Sequence, residues 1–206
     1  MNEFRPKSDS IKQVFSGQQP VIVTGTNQSG QPQVILPGSF NPLHAGHRKM
    51  AAVSTRLIGH PVSYEISIEN VDKPSLTEGE LLKRIGQFSA TETVAVTRAS
   101  TFEKKAALFP GVVFAVGIDT LIRMNVPDYH GYAPKEGGKN SPSPLDRMIE
   151  EIVNQDCRLL VFGRKIGEQF VGLADLEIHP ALSELCQIVP ETLFREDISS
   201  SVLRSE

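Results

Sequence analysis

The sequence predicts an α/β protein in which a doubly wound, mainly parallel sheet is flanked by helices. Three observations carry that expectation. Apolar runs of strand length, such as Val34-Ile35-Leu36 and Val112 to Val116, recur along the chain. Between them lie segments whose apolar residues fall three and four apart, as a crossover helix between parallel strands requires. Glycine and proline punctuate the junctions, as at Gly59-His60-Pro61.

Residues 1 to 20 read as a polar lead-in holding about one helical turn, and 21–206 as one domain. Val21-Ile22-Val23-Thr24 and Val34-Ile35-Leu36 flank Asn27-Gln28-Ser29-Gly30, a tetrad that predicts a hairpin. A helix starting near Leu43 to Ala45 turns Met50, Ala51, Ser54, Leu57 and Ile58 to one face and stops at Gly59. Val62 to Ile68 alternates as a strand does. Thr77 to Phe88 is helical, with Leu81, Leu82, Ile85 and Phe88 on one side and Thr77 with Glu80 as a capping box. Strands follow at Val94 to Thr97, Val112 to Val116 and Leu159 to Phe162, and helices at Phe102 to Phe109, Asp119 to Met124 and Leu145 to Asn154. The order is Rossmann-like.

Composition narrows the partners. The chain has 206 residues, 39% hydrophobic and 22% charged, enough for one well-buried core. A net charge of −3, from 21 basic and 24 acidic residues, argues against a broad nucleic-acid surface and leaves room for a local basic pocket. Cys157 and Cys186 form neither a disulfide framework nor a metal-ligand cluster. No apolar run approaches bilayer length, and Met1-Asn2-Glu3-Phe4-Arg5 has no secretory core, so no membrane partner and a cytoplasmic setting are expected.

The chemistry concentrates in Leu36-Pro37-Gly38-Ser39-Phe40-Asn41-Pro42-Leu43-His44-Ala45-Gly46-His47, which joins a strand to a helix through a turn with two histidines. A helix start there points its unpaired N–H groups and positive dipole end at the occupant of the turn, and phosphate is the natural occupant. Gly38 and Gly46 allow backbone to approach a ligand closely. His44 and His47, three apart, share one face of the first helical turn and can both donate to a polyphosphate. Zinc ligation by the same pair would need a third ligand, which the sequence does not place nearby.

This stretch resembles the H-x-G-H signature of the nucleotidylyltransferase superfamily. Near the C-terminus, Ile198-Ser199-Ser200-Ser201-Val202-Leu203-Arg204 resembles that family's I-S-S-T-x-I-R, with serine for threonine and leucine for isoleucine. The pair, in the right order and about a small domain apart, resembles the nicotinate and nicotinamide mononucleotide adenylyltransferases and cytidylyltransferase-like proteins.

The resemblance implies transfer of a nucleoside monophosphate, AMP from ATP in the first instance, to a phosphorylated acceptor, with release of pyrophosphate. The alternatives are a cytidylyltransferase acting with CTP on an alcohol phosphate and a nucleotide-binding regulatory module without turnover. His44 and His47 are implied as catalytic. Gly38, Ser39, Phe40, Gly46, Arg164, Ile198, Ser199, Ser200 and Arg204 are implied in nucleotide binding. Mg²⁺ is implied as a companion of the triphosphate, without protein ligands.

On the acceptor side the expected residues are Lys73, Arg98, Gly117 and Asp119, each just after a strand, where such sheets bind ligands. Lys73 reads equally as a solvated loop lysine, Arg98 as half of a surface ion pair, and Asp119 as a helix cap. The long segment Pro127 to Pro144, with Tyr129 and Tyr132, reads either as an insertion or as a lid over the acceptor. The chain has no tryptophan to stack on a pyridine ring, so Phe102, Tyr129 or Tyr132 would have to substitute.

Overall fold

The computed structural model describes residues 8–25, 31–71, 74–126, 142–166 and 169–195. Its elements are α1 (Ser8–Ser16), β1 (Val21–Thr24), β2 (Val34–Pro37), α2 (Ala45–Ile58), β3 (Val62–Ser67), α3 (Glu78–Ile85), β4 (Thr93–Thr97) and α4 (Phe102–Leu108). Then come β5 (Val113–Gly117), α5 (Ile118–Met124), α6 (Pro144–Asn154), β6 (Arg158–Phe162), β7 (Arg164–Ile166), β8 (Gln169–Val171), α7 (Pro180–Glu184) and β9 (Cys186–Val189). Seven strands form the main sheet in the order β1-β4-β3-β2-β5-β6-β9, and β7 with β8 makes a separate antiparallel hairpin.

All pairings in the main sheet are parallel except β1 with β4. Counted from β2, the parallel strands run 3-2-1-4-5-6, the doubly wound Rossmann order. The two halves of this winding diverge between β2 and β5. There the ladder holds two residue pairs, Val34 with Val113 and Ile35 with Phe114, whereas β5 and β6 pair from Val113–Arg158 to Gly117–Phe162. The gap beyond Ile35 is the crevice at the carboxyl ends of the strands.

Strand alternation sends side chains to two cores. Val34 and Leu36 of β2, with Tyr64 and Ile66 of β3, pack with Ile11 and Val14 of α1, Val53 of α2, and Leu81 and Ile85 of α3. Ile35, Phe114, Val116, Leu159 and Val161 face the other way, onto Ala106, Leu121, Met148, Ile152 and Leu182 from α4 to α7. Each fully buried aliphatic side chain of this kind contributes about 1.5–3 kcal/mol, so both faces of the sheet are needed.

Several local expectations hold. Gly59 closes α2 in a left-handed conformation, φ 82°, and Thr77 and Glu80 cap α3 reciprocally, at 2.8 and 3.3 Å.

Two expectations are corrected. The predicted hairpin between Val21–Thr24 and Val34–Leu36 does not form: β1 lies at the far edge of the sheet, antiparallel to β4, with β3 and β4 between it and β2. The turn residues 27–30 lie outside the described residues. The lead-in carries a nine-residue helix rather than a single turn, and its Ile11 and Val14 are buried.

Candidate active site

The turn after β2 is built from below. Phe40 takes φ 44°, a left-handed conformation that a bulky residue adopts at a cost of about 1–3 kcal/mol. Its ring drops into the core, edge-on to Tyr64 at 5.5 Å, Phe88 at 5.3 Å and His47 at 4.9 Å. That ring fixes its neighbour's identity, because a Cβ at position 38 would sit 2.7 Å from it. Gly38 is held to β3 by its amide, which donates to the Glu65 carbonyl at 2.9 Å.

Side chains from the α3 region brace the same turn. Gln87 accepts from the Leu43 amide and donates to the Phe40 carbonyl, both at 2.8 Å, and Arg84 donates to the Ser39 carbonyl at 2.9 Å. With backbone groups so engaged, the turn keeps its shape without a ligand.

His44 is the N-cap of α2, and its backbone amide donates to Nδ1 of His47 at 3.3 Å. The two imidazoles stack 3.7 Å apart, 25° from parallel. Burial, with the neighbouring His44 adding to it, pushes the His47 pKa from 6.5 down to about 3, so the ring is neutral near pH 7. Because Nδ1 accepts, the neutral ring carries its proton on Nε2. His47 therefore offers one N–H donor beside the first turn of α2.

These groups line a cleft of about 830 Å³ that runs across the β2/β5 divergence. Gly38, Ser39, His44, Gly46 and His47 form one wall, and Gly117, Asp119, Gly163 and Arg164 form the opposite one. The structure thus brings together eight of the expected site residues, with Gly163 beside Arg164. Phe40 supports the turn from beneath. Asp119 and Arg164 bond directly to each other across the ends of β5 and β6.

Arg98 stands apart from this set. Its Nε donates to Glu69 at 2.7 Å and its Nη1 to the Phe15 carbonyl at 3.2 Å, tying β4 to α1, and it does not line the cleft. Of its two readings, the ion pair is the one seen here, with Glu69. Lys73, Ile198, Ser199, Ser200 and Arg204 lie outside the described residues, as do 127–141 of the long segment.

The structure adds residues that sequence reasoning missed. Glu65, on the middle strand β3, and Lys105, on α4, form an ion pair at 2.7 Å on the cleft floor, with side chains only 1% and 8% exposed. Lys105 also donates to the Ala99 carbonyl at 2.7 Å, and Thr97 donates to Glu65 at 2.5 Å. Glu65 falls at a polar position of the alternating strand Val62 to Ile68, which reads as a solvent-facing position, and its partner forty residues on left no local signal. Arg123 also lines the cleft, as does Phe102, one of the residues offered in place of a stacking tryptophan.

Among the described residues, no three His, Cys, Asp or Glu side chains cluster as a metal site, and no helix is long and apolar enough to cross a membrane. No curated protein matches the chain significantly. The family model described as cytidylyltransferase-like matches residues 35–206, which begins at β2 and takes in the histidine turn and the serine-arginine motif. With that match spanning most of its length, the chain belongs to the cytidylyltransferase-like family and is a nucleotidyltransferase.

Proposed function

We propose that the protein moves AMP from ATP to a phosphorylated small-molecule acceptor, such as nicotinate or nicotinamide mononucleotide, and releases pyrophosphate. The observation that carries this reading is the neutral His47, its Nε2 proton directed by the His44 amide, beside the first turn of α2 on a cleft spanning the sheet's switch point. A triphosphate laid there meets donors that need not be stripped of water at the moment of reaction.

In this scheme an acceptor phosphate oxygen attacks the α-phosphorus in line, one P–O bond forms, and the bond to the β-phosphate breaks. The protein positions the reactants and stabilises charge growing on the transferred group and on pyrophosphate. His44, His47 and the Gly46 backbone serve the α- to γ-phosphates from one wall. Ser199, Ser200 and Arg204 would grip the β- and γ-phosphates, with Ile198 backing them and Lys73 reinforcing. Arg164 would serve the nucleotide, and Gly117 with Asp119 the acceptor. Of the carboxylates lining the cleft, Glu65, Glu69 and Asp119 are each engaged by a basic side chain, and Glu80 accepts from Thr77 as the cap of α3. Mg²⁺ accordingly belongs to the substrate, carried on phosphate oxygens and water.

The family's description favours a second reading, cytidylyl transfer from CTP to an alcohol phosphate. Pyrophosphate release measured with ATP and CTP against mononucleotide and alcohol-phosphate acceptors separates the two. Triphosphate binding with no release for any acceptor would instead support a regulatory module.

A further inference from the structure

We propose that a small recess off the acceptor side of the cleft receives a carboxylate carried by the acceptor, with Arg123 as its counter-ion. The inference rests on the proposed placement of the acceptor beside Gly117 and Asp119. The recess has a volume of about 90 Å³ and lies between the segment after β4 and α5. Five of its lining residues, Val71, Ser100, Phe102, Thr120 and Arg123, line the main cleft as well, which makes it a side chamber of the same space.

Its walls are set without a ligand. The buried Lys105 donates to the Ala99 carbonyl at 2.7 Å, Thr101 accepts from the Lys104 amide at 3.3 Å, and the Phe102 ring stands edge-on to Phe114 at 5.6 Å. Size then restricts the occupant. At about 30 Å³ for each water-sized group the recess holds about three heavy atoms, whereas benzene needs about 150 Å³. A carboxylate fits it; a ring has to stay in the cleft, where Phe102 borders both spaces.

Charge selects among groups of that size. Of the basic side chains on the cleft, Lys105 and Arg164 are matched by Glu65 and Asp119, and Arg84 donates to the Ser39 carbonyl. Arg123, exposed in the last turn of α5, has no ion pair or side-chain hydrogen bond among the described residues. The carboxylate one helical turn before it, Asp119, is held by Arg164, and no acidic side chain among the described residues lines the recess. A guanidinium presents its donors as a planar fork that a carboxylate meets with two parallel hydrogen bonds. An amide has the same shape without the charge, and an alcohol has neither.

Pyrophosphate release by the full chain with matched acceptors tests this: nicotinate against nicotinamide mononucleotide with MgATP, and phosphoglycerate against glycerol phosphate with MgCTP. In whichever pair turns over, the acid should be preferred about tenfold in kcat/KM, the size of one charge-assisted hydrogen bond at an exposed side chain. Arg123→Met should erase that preference by raising the KM of the acid about tenfold. Its kcat should change less than twofold, because the recess shares no residue with the histidine wall. Arg123→Lys should keep part of the preference, and Ser100→Leu, which fills the recess and leaves the charge in place, should also raise the KM of the acid.

Preference for the amide or the alcohol, or an acid KM that Arg123→Met does not move, would overturn the recess and leave the reading of the cleft standing. Triphosphate binding without pyrophosphate release from any of the four acceptors would overturn that reading, and the recess falls with it.

Discussion

On the histidine wall of the cleft the polar groups are neutral donors: a dehydrated imidazole held by a backbone amide, and the amides of a helix start. On the floor and far wall the groups are charged and already matched, Glu65 with Lys105 and Asp119 with Arg164. A ligand anion at the first wall finds donors without a competing carboxylate. At the second it must share or displace an existing partner. The contrast is the ground for proposing that the strongly charged triphosphate lies on the histidine wall and that the acceptor side, Arg123 apart, is defined more by shape than by free charge.

The largest effect expected to break this contrast comes from Lys105→Met. It strands the Glu65 carboxylate and should cost about 3–5 kcal/mol in chemical denaturation. Glu65→Gln combined with Lys105→Met should regain most of that stability; if the single variant is already neutral, the floor pair is not a closed unit.

Next, His47→Asn keeps an acceptor for the His44 amide but removes the Nε2 donor. Turnover should fall by about 10²–10³-fold, as for loss of one transition-state donor, with substrate affinity far less affected. Equal losses in both would place His47 in ground-state binding.

The same residue sets a pH dependence. Its folded pKa, about 3, lies below the ordinary 6.5, so the unfolded chain takes up a proton that the folded chain refuses. That contribution to stability is complete above about pH 6.5 and declines as pH falls toward 3. Denaturation midpoints for wild type and His47→Asn should accordingly converge or cross on acidification, with the variant losing less. The smallest effect belongs to Arg98→Ala: a part-exposed pair with Glu69 is worth about 0–1 kcal/mol, and acceptor KM should not move. A raised acceptor KM would return Arg98 to the site.

Much of this architecture could be read from residue order. The crossover helices and parallel strands declare themselves because both faces of the sheet are buried, which makes Val34-Ile35-Leu36 and Val112 to Val116 continuously apolar. The histidine turn was equally legible, since its glycines, proline and histidines are neighbours in sequence. Pairing was not. The Asn-Gln-Ser-Gly signal pointed to a local hairpin, yet β1 found its partner in β4, whose ladder buries Ile22 and Val96. Short strands such as β7, β8 and β9 have too few residues to show a period. The braces on the turn, Arg84 and Gln87, and the Glu65–Lys105 pair join residues forty or more apart, and nothing local announces such contacts.

The brevity of the β2–β5 ladder bears on how the molecule can deform. With Leu36 and Pro37 released from β5, two residue pairs alone stitch the halves of the sheet at that seam, while the ladders on either side run longer. Torsion about the seam would alter the mouth of the cleft and leave those ladders intact. A short seam of this kind would be the easiest place for the sheet to yield, and it lies beneath the cleft.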